Sequence, residues 1–363
     1  MKVVWLHPPM YTVNHQFLNI LADYVDLIVY QYGDHPNFKI DAFSERKYSL
    51  RIINRFTYHH RKQNSLLMIK YLLSDKPDIV VSVAFWMPSL YAALAKVFLG
   101  FKFIITTDAT VATEKSIGKI KKIIRGFVGS RSKIFIAASK LTEAYLKKEH
   151  KCANIYVSRH TIDTKQWIYD IDGLPKKNEL RKQKNIPIDK LVLLGVGSFQ
   201  RIKNWISVIK QLDKIQNIYF VLIGNGSLKE EYMSFIESKK LEDKVLLLTW
   251  KSQLELQKYY KLSDIFIFPT MKDTFGFVVP EAMSAGLPVL CSKYAGASEL
   301  IEDGINGFIF DPGKDFSNII EKTIEDRFAL SQNAKKAAYQ NTLQKRVLEH
   351  FEIFSHVMSE TNK

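Results

Sequence analysis

Residues 265–269, Ile-Phe-Ile-Phe-Pro, form a short run that is apolar at every position and closed by a proline. An acid follows (Asp273), then a loop holding Gly276, then a second acid (Glu281) set among Val278, Val279 and Met283, then Gly286 and a further apolar run from Leu287. A strand this short with no polar face must be covered on both sides. Parallel sheets joined by crossover helices meet that demand. The stretch therefore reads as one strand–helix–strand unit, and it commits the surrounding chain to an α/β architecture.

The rest of the sequence repeats the unit. In the first half, strands are expected at 3–6, 27–30, 79–83, 103–106 and 134–138, with helices near 17–24, 65–74, 88–99 and 117–127 and another opened by Ser139. Residues 171–189 are polar and carry Gly173, Pro175 and Pro187, which reads as a linker. A second alternating series follows: strands at 191–196, 219–223, 245–249, 265–268 and 288–291, helices from Trp205 and at 227–239, 254–261 and around 281 and 318–327. The expected organisation is a Rossmann-like domain over 1–170, a linker over 171–189 and a second Rossmann-like domain over 190–342. An amphipathic helix at 343–360 returns to complete the first. Two doubly wound domains of this kind hold a ligand in a cleft outside the carboxyl ends of their strands.

The chain has 363 residues, 47% apolar and 25% charged, within the range of folded globular proteins. The opening apolar run is too short for a signal peptide, no stretch reaches the length of a spanning helix, and the two cysteines suit a reducing compartment, so a cytoplasmic location is expected. The formal charge is +15, and residues 115–151 hold eleven Lys or Arg against two acids. Within that stretch Ile117, Ile120, Ile124, Phe127 and Val128 recur at helical spacing beside Lys119, Lys121, Lys122 and Arg125. A basic amphipathic helix over 117–133 can rest on the anionic inner face of a membrane, or pack on its own domain with its charges in water. Nucleic acid is not expected, since no binding motif and no interleaved aromatics accompany the charge.

Four loops of the second series follow strands and should converge. The first, Gly195-Val-Gly197-Ser-Phe-Gln-Arg201-Ile-Lys203-Asn204, offers small residues for close approach and cations for a pyrophosphate. The second, Gly224-Asn-Gly226-Ser227, leads into a helix with Ser227 as its expected N-cap. The third, Thr249-Trp250-Lys251, can meet a base. The fourth holds Asp273, Phe275, Gly276 and, about two turns into its helix, Glu281. Backbone N–H groups at a helix start suit phosphate, and carboxylates suit sugar hydroxyls. A lone carboxylate among apolar neighbours, as at Glu281, needs a partner to offset its desolvation. Asp170-Ile-Asp172 has a metal-binding spacing but falls in the polar linker, and no metal or cofactor is expected.

Lys203-Asn, Gly224-Asn-Gly, Ser263-Asp-Ile-Phe-Ile-Phe-Pro, Asp273-x-Phe-Gly through Glu281-Ala-Met, Ala-Gly-Leu-Pro-Val and Glu302-Asp-Gly-Ile-Asn-Gly-Phe together resemble the GT-B-fold glycosyltransferases of family 4, a retaining group that uses nucleotide-diphosphate sugars. The likeness is strong over 191–312 and weaker over 103–163. It implies that Glu281 holds the ribose hydroxyls and that the backbone at Phe275 and Gly276 binds the distal phosphate. Asp273 would steady the donor sugar and Lys203 the departing diphosphate. Gly197, Arg201, Gly224, Gly226 and Trp250 would complete the donor site, and Asp108 in the first domain would face the acceptor, a glycan or lipid-pyrophosphate-linked sugar. Three positions depart from the pattern: the first acid is Asp273 instead of Glu, Ser198 stands where the family carries Arg, leaving Arg201 as its substitute, and the loop 7–14 lacks the usual glycine pair. A sugar-nucleotide epimerase of the same fold stays open as the alternative.

Overall fold

In a computed structural model the described residues are 1–8, 12–32, 45–54, 67–115, 117–151 and 153–360. Residues 9–11 of the first loop, the start of the helix expected from residue 65, and Cys152 fall outside them. The chain divides into two compact units, Met1–His160 with Leu343–Lys363, and Thr161–Thr342.

The first unit is a seven-stranded sheet: β1 (Lys2–His7), β2 (Asp26–Tyr32), β3 (Ser49–Asn54), β4 (Ile79–Val83), β5 (Lys102–Thr107), β6 (Ile134–Ala137) and β7 (Asn154–Val157), in the order β3-β2-β1-β4-β5-β6-β7. Every pairing is parallel. Its helices are α1 (Thr12–Leu21), α2 (Leu67–Asp75), α3 (Met87–Leu99), α4 (Val111–Glu114), α5 (Lys119–Ser132) and α6 (Lys140–Glu149). Ser139 caps α6 by accepting the Thr142 N–H, as a serine before a helix should. Along α5 the apolar spacing serves the unit itself: Val128 is buried and Ile124 and Phe127 pack on the core.

The C-terminal helix Leu343–Ser359 closes one face of this sheet. Its buried positions include Leu343, Val347, His350, Phe354 and Val357, a three-four spacing that makes one stripe. That stripe joins Val3, Trp5, Phe17 and Leu21 in a single core. Beneath it lie the buried His7 and His350, the partly buried His160, and the buried Arg346, whose guanidinium stands 4.4 Å over the Phe17 ring.

The second unit carries β8 (Leu191–Val196), β9 (Ile218–Ile223), β10 (Val245–Leu248), β11 (Ile265–Phe268), β12 (Val289–Ser292) and β13 (Gly307–Phe310), all parallel, in the order β10-β9-β8-β11-β12-β13. Its helices are α7 (Thr164–Asp172), α8 (Lys177–Gln183), α9 (Trp205–Gln211), α10 (Lys229–Ser238), α11 (Gln253–Leu262), α12 (Val278–Ser284) and α13 (Ser317–Gln340). Where a polar linker is expected at 171–189, α8 folds onto this unit, and compactness divides the chain at Thr161. The cause is a latch that composition hides. Arg181 is buried, donates to the carbonyls of Leu262, Ile188 and Lys190, and pairs with Asp264 at 2.6 Å. Asp264 also takes the Lys177 ammonium at 2.8 Å and the Val192 N–H at 2.7 Å. Burial alone would raise that carboxyl, yet Lys177, Val192 and Arg181 together hold it below its usual range.

Strand order reverses between β8 and β11: the sheet grows from β8 toward β9 on one side and from β11 toward β12 on the other. In open parallel sheets a ligand sits outside the carboxyl ends of the strands at such a reversal, which here means beyond β8 and β11. The loops after these two strands both carry residues the sequence marks as functional.

Candidate active site

Beyond β8 the chain makes a one-turn 3₁₀ helix, Arg201–Lys203, ending at Asn204 in the left-handed conformation (φ 56°). Two contacts fix that turn. Trp205, fully buried, donates its indole N–H to Ser198 O at 3.1 Å. The Ile202 carbonyl accepts the Met271 N–H at 2.8 Å and the Thr270 hydroxyl at 3.1 Å, which ties the turn to the loop after β11. Held this way, Lys203 points its Nζ at Asp273 Oδ2, 2.5 Å away, and lies 5.3 Å over the Phe268 ring. Both partners are largely shielded from solvent, where a charge pair attracts more strongly than in open water.

Asp273 Oδ1 accepts the Phe275 N–H at 3.2 Å, and Asp273 forms a bridge with Ala295 beyond β12. Phe275 is buried and its carbonyl accepts the Ala297 N–H at 2.8 Å, so its backbone is already spoken for. Among the described residues the Gly276 N–H has no acceptor. Gly276 has φ +102°, and a Cβ there would sit 2.6 Å from the Phe268 ring, so the position admits no side chain without strain. That same kink prevents α12 from starting earlier than Val278. Glu281 consequently stands in the first turn of α12 instead of two turns in.

Glu281 has the partner its apolar setting demands. The phenol of Tyr260, fully buried on α11, donates to Glu281 Oε2 at 2.8 Å. Burial pushes the Glu281 carboxyl up to about 7, with the Tyr260 hydrogen bond opposing the rise. A carboxyl poised there titrates near neutrality.

The glycine loops serve close packing. A Cβ on Gly224 would lie 1.9 Å from the Gly197 carbonyl oxygen, so the loops after β8 and β9 touch backbone to backbone. A Cβ on Gly226 would lie 2.5 Å from Phe199 O. Ser227 is not the cap of α10: that helix begins at Lys229 with Leu228 before it, because Leu228 is turned away to donate its N–H to Phe199 O at 3.0 Å. Arg201 is exposed at the head of its turn, and Trp250 is exposed beyond β10 with its ring surface open. Asp108 follows β5 in the first unit, partly buried. The structure thus brings Lys203 and Asp273 together and pairs Glu281 with a residue the sequence did not single out. Thr270 was missed as well. Neither Tyr260 nor Thr270 stands in a motif, and only the need of Glu281 for a partner gave a hint.

Asp170 and Asp172 are engaged elsewhere: Asp170 accepts from Gln166 and Gln257, and Asp172 pairs with Lys335. Among the described residues no helix is long and apolar enough to cross a membrane.

Residues 176–341 match the family model for glycosyl transferases group 1. An uncharacterized glycosyltransferase of Methanocaldococcus jannaschii is 28% identical over 183 residues, 48% of this chain and 47% of that protein. The lipopolysaccharide 1,2-N-acetylglucosaminetransferase of Salmonella typhimurium is 29% identical over 193 residues, 48% of this chain and 51% of that protein. The chain thus spans about half the length of these curated relatives. Among solved structures, Anabaena HepE in complex with UDP superposes with a TM-score of 0.81 at 20% identity, covering 98% of this chain and 100% of that one. The second unit thus contains the stretch that matches the group 1 glycosyl transferase model, and the chain has the GT-B fold.

Proposed function

We propose that this protein is a hexosyltransferase of family 4 that moves a sugar from a nucleoside diphosphate sugar to a glycan or lipid-linked acceptor, with retention at the anomeric carbon. The observation that carries the reading is the Lys203–Asp273 pair, 2.5 Å apart at the strand-order reversal and beside the Gly276 N–H. An ammonium and a carboxylate so close are what a diphosphate sugar would part. Lys203 turns to the phosphate oxygens and takes up the charge of the leaving group. The freed Asp273 carboxylate accepts hydroxyls of the sugar and faces the positive charge growing at its anomeric carbon. Gly276 donates its N–H to the distal phosphate, and Glu281, set by Tyr260, receives the ribose hydroxyls. Arg201 and Trp250 line the path of the phosphates and base, and Asp108 is assigned to the acceptor. With a cation on the leaving group, the reaction needs no metal.

The Salmonella relative and HepE, by their names, act in lipopolysaccharide synthesis and bind UDP. They support a surface glycan as the product and a uridine nucleotide as the donor. A panel of nucleotide sugars, titrated by calorimetry and then turned over with acceptor, tests the proposal. One donor should bind selectively and release its nucleoside diphosphate only when acceptor is added, and Glu281→Ala should abolish that release. Full turnover by Glu281→Ala, or conversion of the donor without any acceptor, would refute it.

A further inference from the structure

The outer surface of α3 is unlike that of a helix facing water. It buries Pro88, Ser89, Ala92, Ala93 and Ala95, which leaves Leu94, Val97 and Phe98 on the opposite side, 46%, 55% and 88% exposed. Positions three and four apart make one stripe. Lys96 is the sole charged residue in the helix. α5 packs beside α3 and exposes Ile120 by 75% and Ile123 by 73%, among the exposed Lys119, Lys121 and Lys122. Single apolar side chains on a surface are ordinary, but two neighbouring helices that both turn apolar side chains outward are not.

The two helices of this face carry charge of one sign, and the acid beside them, Glu114, is paired with Arg125 of α5. Neither α3 nor α5 contains an Asp or Glu. Lys96 Nζ donates to Arg131 O at 2.7 Å, and burial, then the charges of Lys102, Lys133 and Arg131, depress its pKa. Four cations therefore gather beside Val97 and Phe98, and three more flank Ile120 and Ile123. A second copy of the chain brought against this face would set like charges against each other. An anionic bilayer offers the complement to both features at once.

We propose that the α3–α5 face docks on an anionic phospholipid bilayer, with Leu94, Val97 and Phe98 entering the acyl boundary and the surrounding lysines meeting headgroup phosphates. The basic helix α5 is half of the device. Its Ile124, Phe127 and Val128 serve the core, and the apolar part comes mainly from α3. The inference stands apart from sugar transfer, since it concerns the first unit and is read by vesicle binding.

The test is co-sedimentation of the full chain with vesicles of phosphatidylcholine alone and with about 30 mol% phosphatidylglycerol. Binding to the mixed vesicles, little to the neutral ones, and weakening near ~0.5 M salt are expected. The V97S/F98S variant should bind roughly tenfold less, as should K119A/K121A/K122A, while Phe98→Trp retains binding. Melting curves of the exposed-site variants should overlay the parent, which separates lost docking from lost folding. Undiminished binding by V97S/F98S would overturn the proposal. So would a dimer in sedimentation velocity that V97S/F98S dissociates, which would give the face to a second copy.

Discussion

The Tyr260 hydroxyl donates to Glu281 Oε2 at 2.8 Å, from α11 to the first turn of α12, and it opposes the effect of burial on that carboxyl. Ribose hydroxyls donate more strongly to an ionised carboxylate than to a protonated one. Donor kcat/KM should therefore fall as pH drops below about 7. Removing the phenol in Tyr260→Phe leaves burial unopposed, so the break should move upward by roughly one unit. Paired pH profiles of the two proteins check this; a downward move would contradict the assignment of Tyr260 as a donor to Glu281.

Lys203 and Asp273 should separate in their effects. Losing the cation in Lys203→Ala removes the stabilisation of the leaving group and should lower kcat by about 100-fold or more, with a smaller change in donor KM. Thr270→Val cuts one tie to the Ile202 carbonyl and should cost about tenfold, through a misplaced Lys203. Chelators should leave the rate unchanged. Steady-state kinetics with and without EDTA reads all three.

The Arg181 latch predicts unequal costs for two cations on one carboxylate. Arg181→Ala strips a buried pair and three carbonyl bonds, and should destabilise by about 3 kcal/mol or more. Lys177, whose side chain is 41% exposed, should cost under about 1 kcal/mol on mutation to Ala. Urea unfolding of both variants measures the difference.

The histidines beneath the C-terminal helix predict acid lability. Burial, with Arg346 acting in the same direction, lowers His7 to about 4 and His350 to about 3. The Pro8 carbonyl, 2.6 Å from His7 Nδ1, and that of Arg346 at His350 oppose the drop. Glu349 shares Ser158 with His350, and its charge raises the Arg346 pKa against the lowering by burial. An unfolded chain takes up protons on these rings below about pH 6.5 while the folded chain refuses them, so stability falls as pH drops from there toward about 4. Each ring contributes a slope of up to about 1.4 kcal/mol per pH unit. Denaturant melts between neutrality and pH 5 should show that loss, and His350→Phe should remove one ring's share of it.

Much of this was legible in the residues. Uniformly apolar runs such as Ile265–Phe268 admit few structures other than buried parallel strands, and they were placed within a residue or two. β3 and β7 escaped because a polar or half-buried edge run such as Asn154-Ile-Tyr-Val carries no such demand, and β13 because its apolar run, Phe308-Ile-Phe, is only three residues long. The 171–189 segment was misread for a related reason: its charges look solvated in sequence, and only the fold reveals that Arg181 is buried on Asp264. At the candidate site the same division appears. Lys203, Asp273 and Glu281 announce themselves by loop and spacing, whereas Tyr260 and Thr270 act through contacts across elements, which no local pattern records.

The first unit borrows its closing element from the far end of the polypeptide. Val3, Trp5 and Phe17 stay uncovered until residues 343–359 have been synthesised, whereas the second unit is contiguous and can consolidate as soon as it emerges from the ribosome. Order of birth and order of completion are therefore inverted in this molecule: the half made first is finished last. A chain cut short just before Leu343 would keep its second unit whole and leave an unsealed first unit prone to aggregation.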